Sequence, residues 1–405
     1  EYIAQTRAWF YVMHVLGYAL FQRAPFEHVL TTGTILAEDG SKMSKSKNNF
    51  PDPWIVIEKY GVDSLRFYLM NSVVMQAENL NFSVNDLEIV HRKVVTILWN
   101  CFQYLRTYGV QAGWNVGIRG ERATASNALL DQGISIRTKE LVVAVTEGLD
   151  AYDTVRATRT IAEYIDDLST WYVRRSRGRA DAEFFTTLYD ALSTTSKVIA
   201  PFMPHLAETL YKNLIELFGD AEGESVHLVE WPSAKKISLD DKKILADMRI
   251  VRDEASRGLS LRNELKIPVK EPRPTYSTAT IVPVQFYPIL QNELNVKSII
   301  IDSSLGESVV FGDLTDELRR EGEVRAARRA IQEARKLDGF RVGEENVLVL
   351  ENAIFDSQFE IIEAGAKGTG TAVIRGELKE YSNFPIRELQ VEGKKIRSQF
   401  QKEKA

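Results

Sequence analysis

Ala37-Glu38-Asp39-Gly40-Ser41-Lys42-Met43-Ser44-Lys45-Ser46 is the stretch on which the reading of this chain turns. Asp39-Gly40 is a turn pair that lets the backbone reverse sharply. Behind it, two ammonium groups and two hydroxyls sit on a short loop whose one apolar anchor is Met43. Such a loop is polar and cationic, suited to clamping a polyphosphate while charge is moving. It is not a P-loop, which presents backbone N–H groups from glycines; no G-x-x-x-x-G-K-[ST] pattern occurs in the chain. Taken alone, the five residues from Lys42 to Ser46 also fit a plain solvated Lys/Ser loop, so the flanks decide.

Upstream, residues 6–21 are apolar on most sides and read as a buried helix. The run is too short, and too interrupted by His14, to span a membrane. A turn at Arg23-Ala24-Pro25 leads to a short apolar strand around His28-Val29-Leu30. A second strand, Thr34-Ile35-Leu36, ends at the lysine loop. Helix, strand, then a functional loop at the strand's carboxyl end is how doubly wound α/β folds place ligands.

Lys-Met-Ser-Lys-Ser resembles the second signature of class I aminoacyl-tRNA synthetases. The stretch Glu1-Tyr2-Ile3-Ala4-Gln5-Thr6-Arg7-Ala8-Trp9-Phe10 and the Asn48-Asn49-Phe50-Pro51-Asp52-Pro53 behind the loop resemble the isoleucyl-tRNA synthetases. The resemblance implies that Glu1 contacts an aminoacyl-adenylate while Gln5 and Trp9 line the amino-acid side of the pocket. It implies that Lys42, Ser44, Lys45 and Ser46 hold ATP, with Lys42 and Lys45 as the catalytic pair and Lys45 the stronger of the two. ATP and Mg²⁺ are the implied cofactors, with no protein ligand for the metal identified in the chain.

The chain also departs from the family pattern. Tyr2 stands where many members have a small residue, and no His-x-Gly-His-type first signature is present. His14, His28, His91, His205 and His227 are scattered, none in a Gly-rich turn. The large editing insertion is missing from between the signatures. The chain therefore reads as a C-terminal portion whose expected partner is a missing N-terminal portion holding the rest of the Rossmann fold.

At 405 residues the chain has room for two to four domains with ample core. Its one cysteine, Cys101, in Ile97-Leu98-Trp99-Asn100-Cys101-Phe102, excludes an internal disulfide and a Cys-based zinc cluster and reads as a buried thiol. With no signal peptide or membrane span, a cytoplasmic location and no membrane partner are expected. The net charge of −5 is an unusual average for a nucleic-acid binder, but an average hides local patches.

The expected architecture is multidomain and mainly α, in five segments. Residues 1–50 form the end of a Rossmann-type catalytic domain and residues 51–88 a helical stem-contact fold. In the latter, Pro53 opens a helix that stops at Gly61 and Val62 begins another. Asn79-Leu80-Asn81-Phe82-Ser83 resembles the end of that fold. Residues 89–235 form an anticodon-binding helical bundle, with helices predicted over 86–108, 135–149, 152–179, 183–199 and 203–218. Residues 236–302 hold a linking helix (239–263), an extended strand (265–272) and a small α/β domain. Residues 303–405 form a C-terminal α/β domain, with a helix over 315–337, strands near 346–350 and 371–375, and a frayed basic tail from 394 to 404. Acids interleave with the arginines of the 315–337 helix, which favours a solvated, salt-bridged face.

Trp171-Tyr172-Val173-Arg174-Arg175-Ser176-Arg177-Gly178-Arg179 carries four arginines in six residues with no intervening acid. Arginine pairs bidentately with phosphate and stacks on unpaired bases, so Trp171, Arg174, Arg175, Arg177 and Arg179 are the candidate tRNA contacts. Arginines near a helix C-terminus also simply suit the helix dipole, and Trp171 also fits a core position. The stretch closely resembles one in the anticodon-binding bundle of isoleucyl-tRNA synthetases.

The resemblance implies an isoleucine–tRNA ligase: ATP-dependent formation of isoleucyl-adenylate, then transfer to tRNA(Ile). Neither step needs a protein nucleophile, so the lack of a Ser/His/Asp or Cys/His constellation is no objection. A valyl-tRNA synthetase portion is the alternative within the class, although valyl enzymes end in a long coiled-coil arm and no sustained heptads occur here. A non-catalytic tRNA-binding subunit or fragment is the alternative outside it, against which the intact lysine loop argues.

Overall fold

The computed structural model describes residues 1–44, 46–117, 126–219, 223–233, 237–341, 344–379, 384–391 and 394–401. The chain divides into two compact units, Glu1–Leu245 and Ala246–Ala405.

In the first unit a 3-10 turn (Ile3–Arg7) leads into α1 (Trp9–Phe21). The predicted helix is present but not buried: Trp9 is 55% and Phe21 70% exposed, and Gly17 is its one buried residue. Its residues are apolar on every side, whereas one ring, Phe26, covers a flank by contacting Phe10 and His14. The strand expected around Val29 does not form, because that segment has no ladder partner; the extended pairing is instead a bridge between Tyr2 and Thr32.

The second predicted strand is β1 (Ile35–Leu36), and it pairs in parallel with β2 (Leu80–Asn81). Gly33 makes that approach possible. Its N–H donates to the Val74 carbonyl at 2.7 Å, and a Cβ there would lie 1.7 Å from the Glu78 carbonyl oxygen. Between the strands run α2 (Pro53–Tyr60) and α3 (Val62–Met70). Asp52 caps α2 by accepting from Trp54 N, Pro53 fills the first turn, and Gly61 at φ +80° ends it. Val56, Tyr60, Tyr68 and Phe82 form a small core with Leu87 of α4 (Val84–Val90), and Met43 packs against it.

Helix continues from α4 through a π-helical stretch, His91–Thr96, into α5 (Ile97–Gln111). It therefore runs past Gly109, beyond the predicted end at 108; that glycine is buried against Phe218 and needs no turn. Then come α6 (Leu129–Asp150), α7 (Thr154–Asp166) extended by a second π-helical stretch (Asp167–Val173), α8 (Ala182–Ile199) and α9 (Pro204–Phe218). These helices enclose the largest core, with Phe102, Tyr164, Leu168, Phe184, Leu192 and Phe202 at its centre. Cys101 lies in it, and burial pushes its thiol up to about 12.

The bundle is fastened to α3 at one end. Asp63 Oδ2 accepts from the N–H of Leu206 at the start of α9, at 2.6 Å. Arg66 donates from Nε to Phe202 O and from Nη2 to Pro201 O, carbonyls of the turn between α8 and α9. Asp63 thereby satisfies an unpaired N–H at the start of α9, and Arg66 holds the turn that leads into it.

α10 (Leu239–Glu264) runs across the boundary, and the second unit is built on one motif used twice. In the first copy α10 leads to β3 (Arg273–Thr278), α11 (Tyr287–Leu294) crosses to the parallel β4 (Val296–Ile301), and β5 (Val309–Phe311) pairs antiparallel on the other side of β3. In the second copy α12 (Asp316–Leu337) leads to β6 (Asn346–Glu351), and α13 (Asp356–Ala366) crosses to the parallel β7 (Thr371–Gly376). There β9 (Lys394–Gln401) pairs antiparallel with β6, and β8 (Arg387–Val391) lies outside it.

Each copy is locked by a buried arginine in the last turn of its first helix. Arg262 donates to the carbonyls of Pro268 and Glu271 and to that of Asn295, the residue before β4. Arg335 donates to those of Arg341 and Glu344 and to that of Gly370, the residue before β7.

Two expectations fail here for physical reasons. Residues 265–272 are turns rather than a strand, because Lys266 at φ +56° and the loop behind it wrap around the Arg262 guanidinium. The tail is not frayed over 394–401: it is β9, placed between β6 and β8, with Ile396 and Phe400 buried on alternate positions. Residues 402–405 lie outside the described residues.

Candidate functional site: the lysine loop and the arginine end of the bundle

β1 delivers the chain into the loop through a tight turn. Gly40 takes φ +77°, its N–H donates to Ala37 O, and Ala37 N donates to Ser41 O, both at 2.9 Å. Asp39 Oδ1 accepts from Ser41 N at 2.9 Å. Hydrogen bonds from the Ser41 hydroxyl and N–H hold the Asp39 carboxyl below its ordinary value.

The loop then closes around Asn49. Its Oδ1 accepts from Ser44 N at 2.9 Å, and its Nδ2 donates to Ser41 Oγ at 2.8 Å and to Lys42 O at 3.1 Å. The hydroxyls of Ser44 and Ser46 lie 2.7 Å apart. Met43 is turned toward the small core, while Lys42 is exposed. The expectation for Lys45 falls outside the described residues.

Of Glu1, Gln5 and Trp9, Glu1 lies beside the segment that leads into β1. Glu1 O accepts from Thr32 N at 2.8 Å, directly ahead of Gly33. Gln5 Oε1 accepts from Trp9 N at 3.2 Å and so caps the start of α1, and Trp9 is exposed. Among the described residues no hydrogen bond joins these three to the loop.

No described group of three or more His, Cys, Asp or Glu residues is placed to hold a metal ion. The loop's ammonium groups cannot ligate Mg²⁺, which takes oxygen ligands and favours carboxylates.

The arginine run lies at the end of the bundle remote from α3. α6 spans the distance, roughly 30 Å for a helix of its length. Within the run the structure separates the roles. Arg179 donates to Asp131 through both terminal nitrogens and to Asp181 through Nε and Nη2. Tyr172 is buried, and its hydroxyl donates to the same Asp131 at 2.8 Å. Arg175 lies 6.0 Å from the centre of the Trp171 ring, both half-buried. Arg174 and Arg177 are exposed.

Sequence reading missed two residues that the fold adds to this end. Tyr104 and Tyr108, one turn apart on α5, have ring centres 4.5 Å apart, and Tyr108 is 44% exposed. Burial raises the Tyr104 hydroxyl above its ordinary value, partly offset by the Gly178 backbone and the charge of Arg177. The signal for Tyr104 and Tyr108 was their i, i+4 spacing, but nothing in the sequence sets that helix beside the arginines.

No described helix is long and apolar enough to cross a membrane. Residues 1–81 match the family model of class I tRNA synthetases (I, L, M and V), and residues 131–277 match that of the anticodon-binding domain of tRNA ligases. The chain is 38% identical over 315 residues to the isoleucine–tRNA ligase of Leifsonia xyli subsp. xyli, covering 74% of this chain and 27% of that protein. It is 35% identical over 318 residues to that of Protochlamydia amoebophila, covering 75% and 30%. The chain thus spans less than a third of the length of these relatives. Among solved structures, a LeuRS–tRNA–LeuAMS ternary complex from Agrobacterium radiobacter aligns with TM-score 0.44 and 17% identity, over 58% of this chain and 27% of that one. With a class I catalytic segment that ends in the lysine loop and its partner strand, followed by an anticodon-binding domain, the chain belongs to the class I aminoacyl-tRNA synthetases, and the curated relatives it matches are isoleucine–tRNA ligases.

Proposed function

We propose that this chain supplies the lysine-loop portion and the tRNA-binding portion of an isoleucine–tRNA ligase. The observation that carries the reading is the loop itself. A cationic, hydroxyl-bearing loop sits at the carboxyl end of a parallel strand and is anchored by Met43 to the helices that join the bundle. In the first step the isoleucine carboxylate attacks the α-phosphorus of ATP and pyrophosphate leaves. Lys42 and Lys45 stabilise the charge that grows on the leaving group, while Ser44 and Ser46 offer it hydrogen bonds. In the second step the terminal ribose hydroxyl of tRNA(Ile) attacks the acyl carbon of the adenylate and AMP leaves. Glu1, Gln5 and Trp9 belong to the aminoacyl-adenylate side of this site. Isoleucine differs from valine by one methylene, worth only about 1–3 kcal/mol in an apolar pocket, a limit for which isoleucyl enzymes are themselves the known example.

Residues 51–88 act as the stem-contact fold and residues 89–235 as the anticodon-binding bundle. The RNA-facing set at the remote end is Arg174 and Arg177, joined by the exposed Tyr108 ring; exposed arginine beside an aromatic face suits phosphate and unpaired bases together. Trp171 and Arg175 back that surface, and Arg179 holds it in place. Binding of the full chain to isoleucine, valine and leucine acceptor tRNAs at two salt concentrations tests the assignment. Selective retention of the isoleucine acceptor at the higher salt is expected. Equal, steeply salt-dependent binding of all three would mean phosphate contact without readout and would overturn it.

A further inference from the structure

We propose that Asn49 is the positioning residue of the lysine loop. One carboxamide spends its Oδ1 and its Nδ2 hydrogens on three residues of the opposite limb, Ser44, Ser41 and Lys42. The residue before it, Asn48, takes the left-handed conformation at φ +46°, which turns the chain back so that the Asn49 side chain enters the loop. Across this bend Lys47 N also donates to Ser44 O at 3.1 Å, and the Ser44 and Ser46 hydroxyls lie 2.7 Å apart. The limb that carries Lys42 is therefore held at its carbonyl, and the residues on either side of Lys42 and Met43 are held as well. A polar loop of this length has no apolar packing of its own beyond Met43, so the carboxamide is what limits its shape. Presenting ammonium groups in a fixed place before charge develops is where such a loop gains its effect. The inference rests on the reading of the loop as a polyphosphate clamp and adds the residue that keeps the clamp in shape.

The test uses the full chain and reads tryptic cleavage after Lys42, Lys45 and Lys47 by mass spectrometry, with and without ATP. Asn49→Ala should raise the cleavage rate without nucleotide about tenfold, the scale of losing this set of hydrogen bonds. Asn49→Asp, which keeps the acceptor for Ser44 N and loses the donors, should fall between, as should Ser41→Ala, which removes one bond. ATP should protect the unmodified chain, and Asn49→Ala should need roughly tenfold more ATP for half-protection at an unchanged melting temperature. A cleavage rate in Asn49→Ala and Ser41→Ala equal to that of the unmodified chain would overturn the clamp. Faster cleavage with the same ATP requirement would overturn its positioning role. Lack of ATP protection in the unmodified chain would overturn the polyphosphate reading beneath it, and that failure is recognised before any variant is made.

Discussion

Arg179 meets Asp131 in a two-pronged pair, Nη1 to Oδ1 at 2.8 Å and Nη2 to Oδ2 at 2.9 Å, across 48 residues of sequence. The carboxylate is 1% exposed and the guanidinium side chain 26%. Breaking a buried pair from one side leaves a charge without its partner, at about 3–5 kcal/mol. Partial exposure of Arg179 puts Arg179→Ala at the lower end of that range. Arg177→Ala, on an exposed side chain, should change stability by less than about 0.5 kcal/mol. It should weaken tRNA binding and lower the salt dependence by about one ion. Urea unfolding and tRNA titrations on the two variants separate the roles; a stability loss in Arg177→Ala would contradict the division.

Arg179 also holds the Asp181 carboxyl below its ordinary 3.8, chiefly by donating hydrogen bonds to it. A carboxyl whose pKa is lower in the folded state adds stability that is fully present above the unfolded value and is lost as pH falls through the folded one. Urea midpoints measured from about pH 6 down to 2 should therefore fall more steeply in the natural chain than in Asp181→Asn. Parallel acid limbs in the two proteins would show that the pair contributes nothing to folding.

Gly33 is where two backbones come closest. An added methyl would overlap the Glu78 carbonyl, and backbone on both sides leaves no flexible side chain to yield. Gly33→Ala should cost more than about 2 kcal/mol by separating β1 from β2. Because β1 feeds the lysine loop, tryptic cleavage there should rise at the same time. Wild-type resistance in this variant would show that the loop does not depend on the strand pairing.

Arg262 and Arg335 predict equivalent behaviour in the two copies of the repeated motif. Each donates to several carbonyls at once, and hydrogen bonds from a charged group are worth about 1.5–3 kcal/mol. Arg335→Lys keeps the charge but has no planar fork to bridge the Gly370 and Glu344 carbonyls. It should unfold the second copy, exposing Phe400 of β9 to proteolysis, while Arg262→Lys should act on the first. Thermal melts with limited proteolysis would show this as loss of different fragments.

Much of the helical architecture was legible because its signals are local. Pro53, Gly61, the caps and the apolar spacing of the bundle set helix limits within a few residues, and the lysine loop announced itself by composition and flanks. The start of α6 was missed because what orders it is Asp131, and that aspartate acts through Tyr172 and Arg179 far along the chain.

Sequence by itself determined the kind of chemistry the chain carries: two lysines and two hydroxyls behind an Asp-Gly turn, and an arginine run beside aromatic residues. Those are properties of side chains and survive any folding. Tertiary structure alone decided what each residue is free to do. It placed Arg179 on a buried carboxylate and left Arg174 and Arg177 exposed. It closed the lysine loop on Asn49, and it turned a basic tail into an interior strand. Each of these outcomes depends on a partner distant in sequence, and pairing of that kind is fixed by packing rather than by local preference.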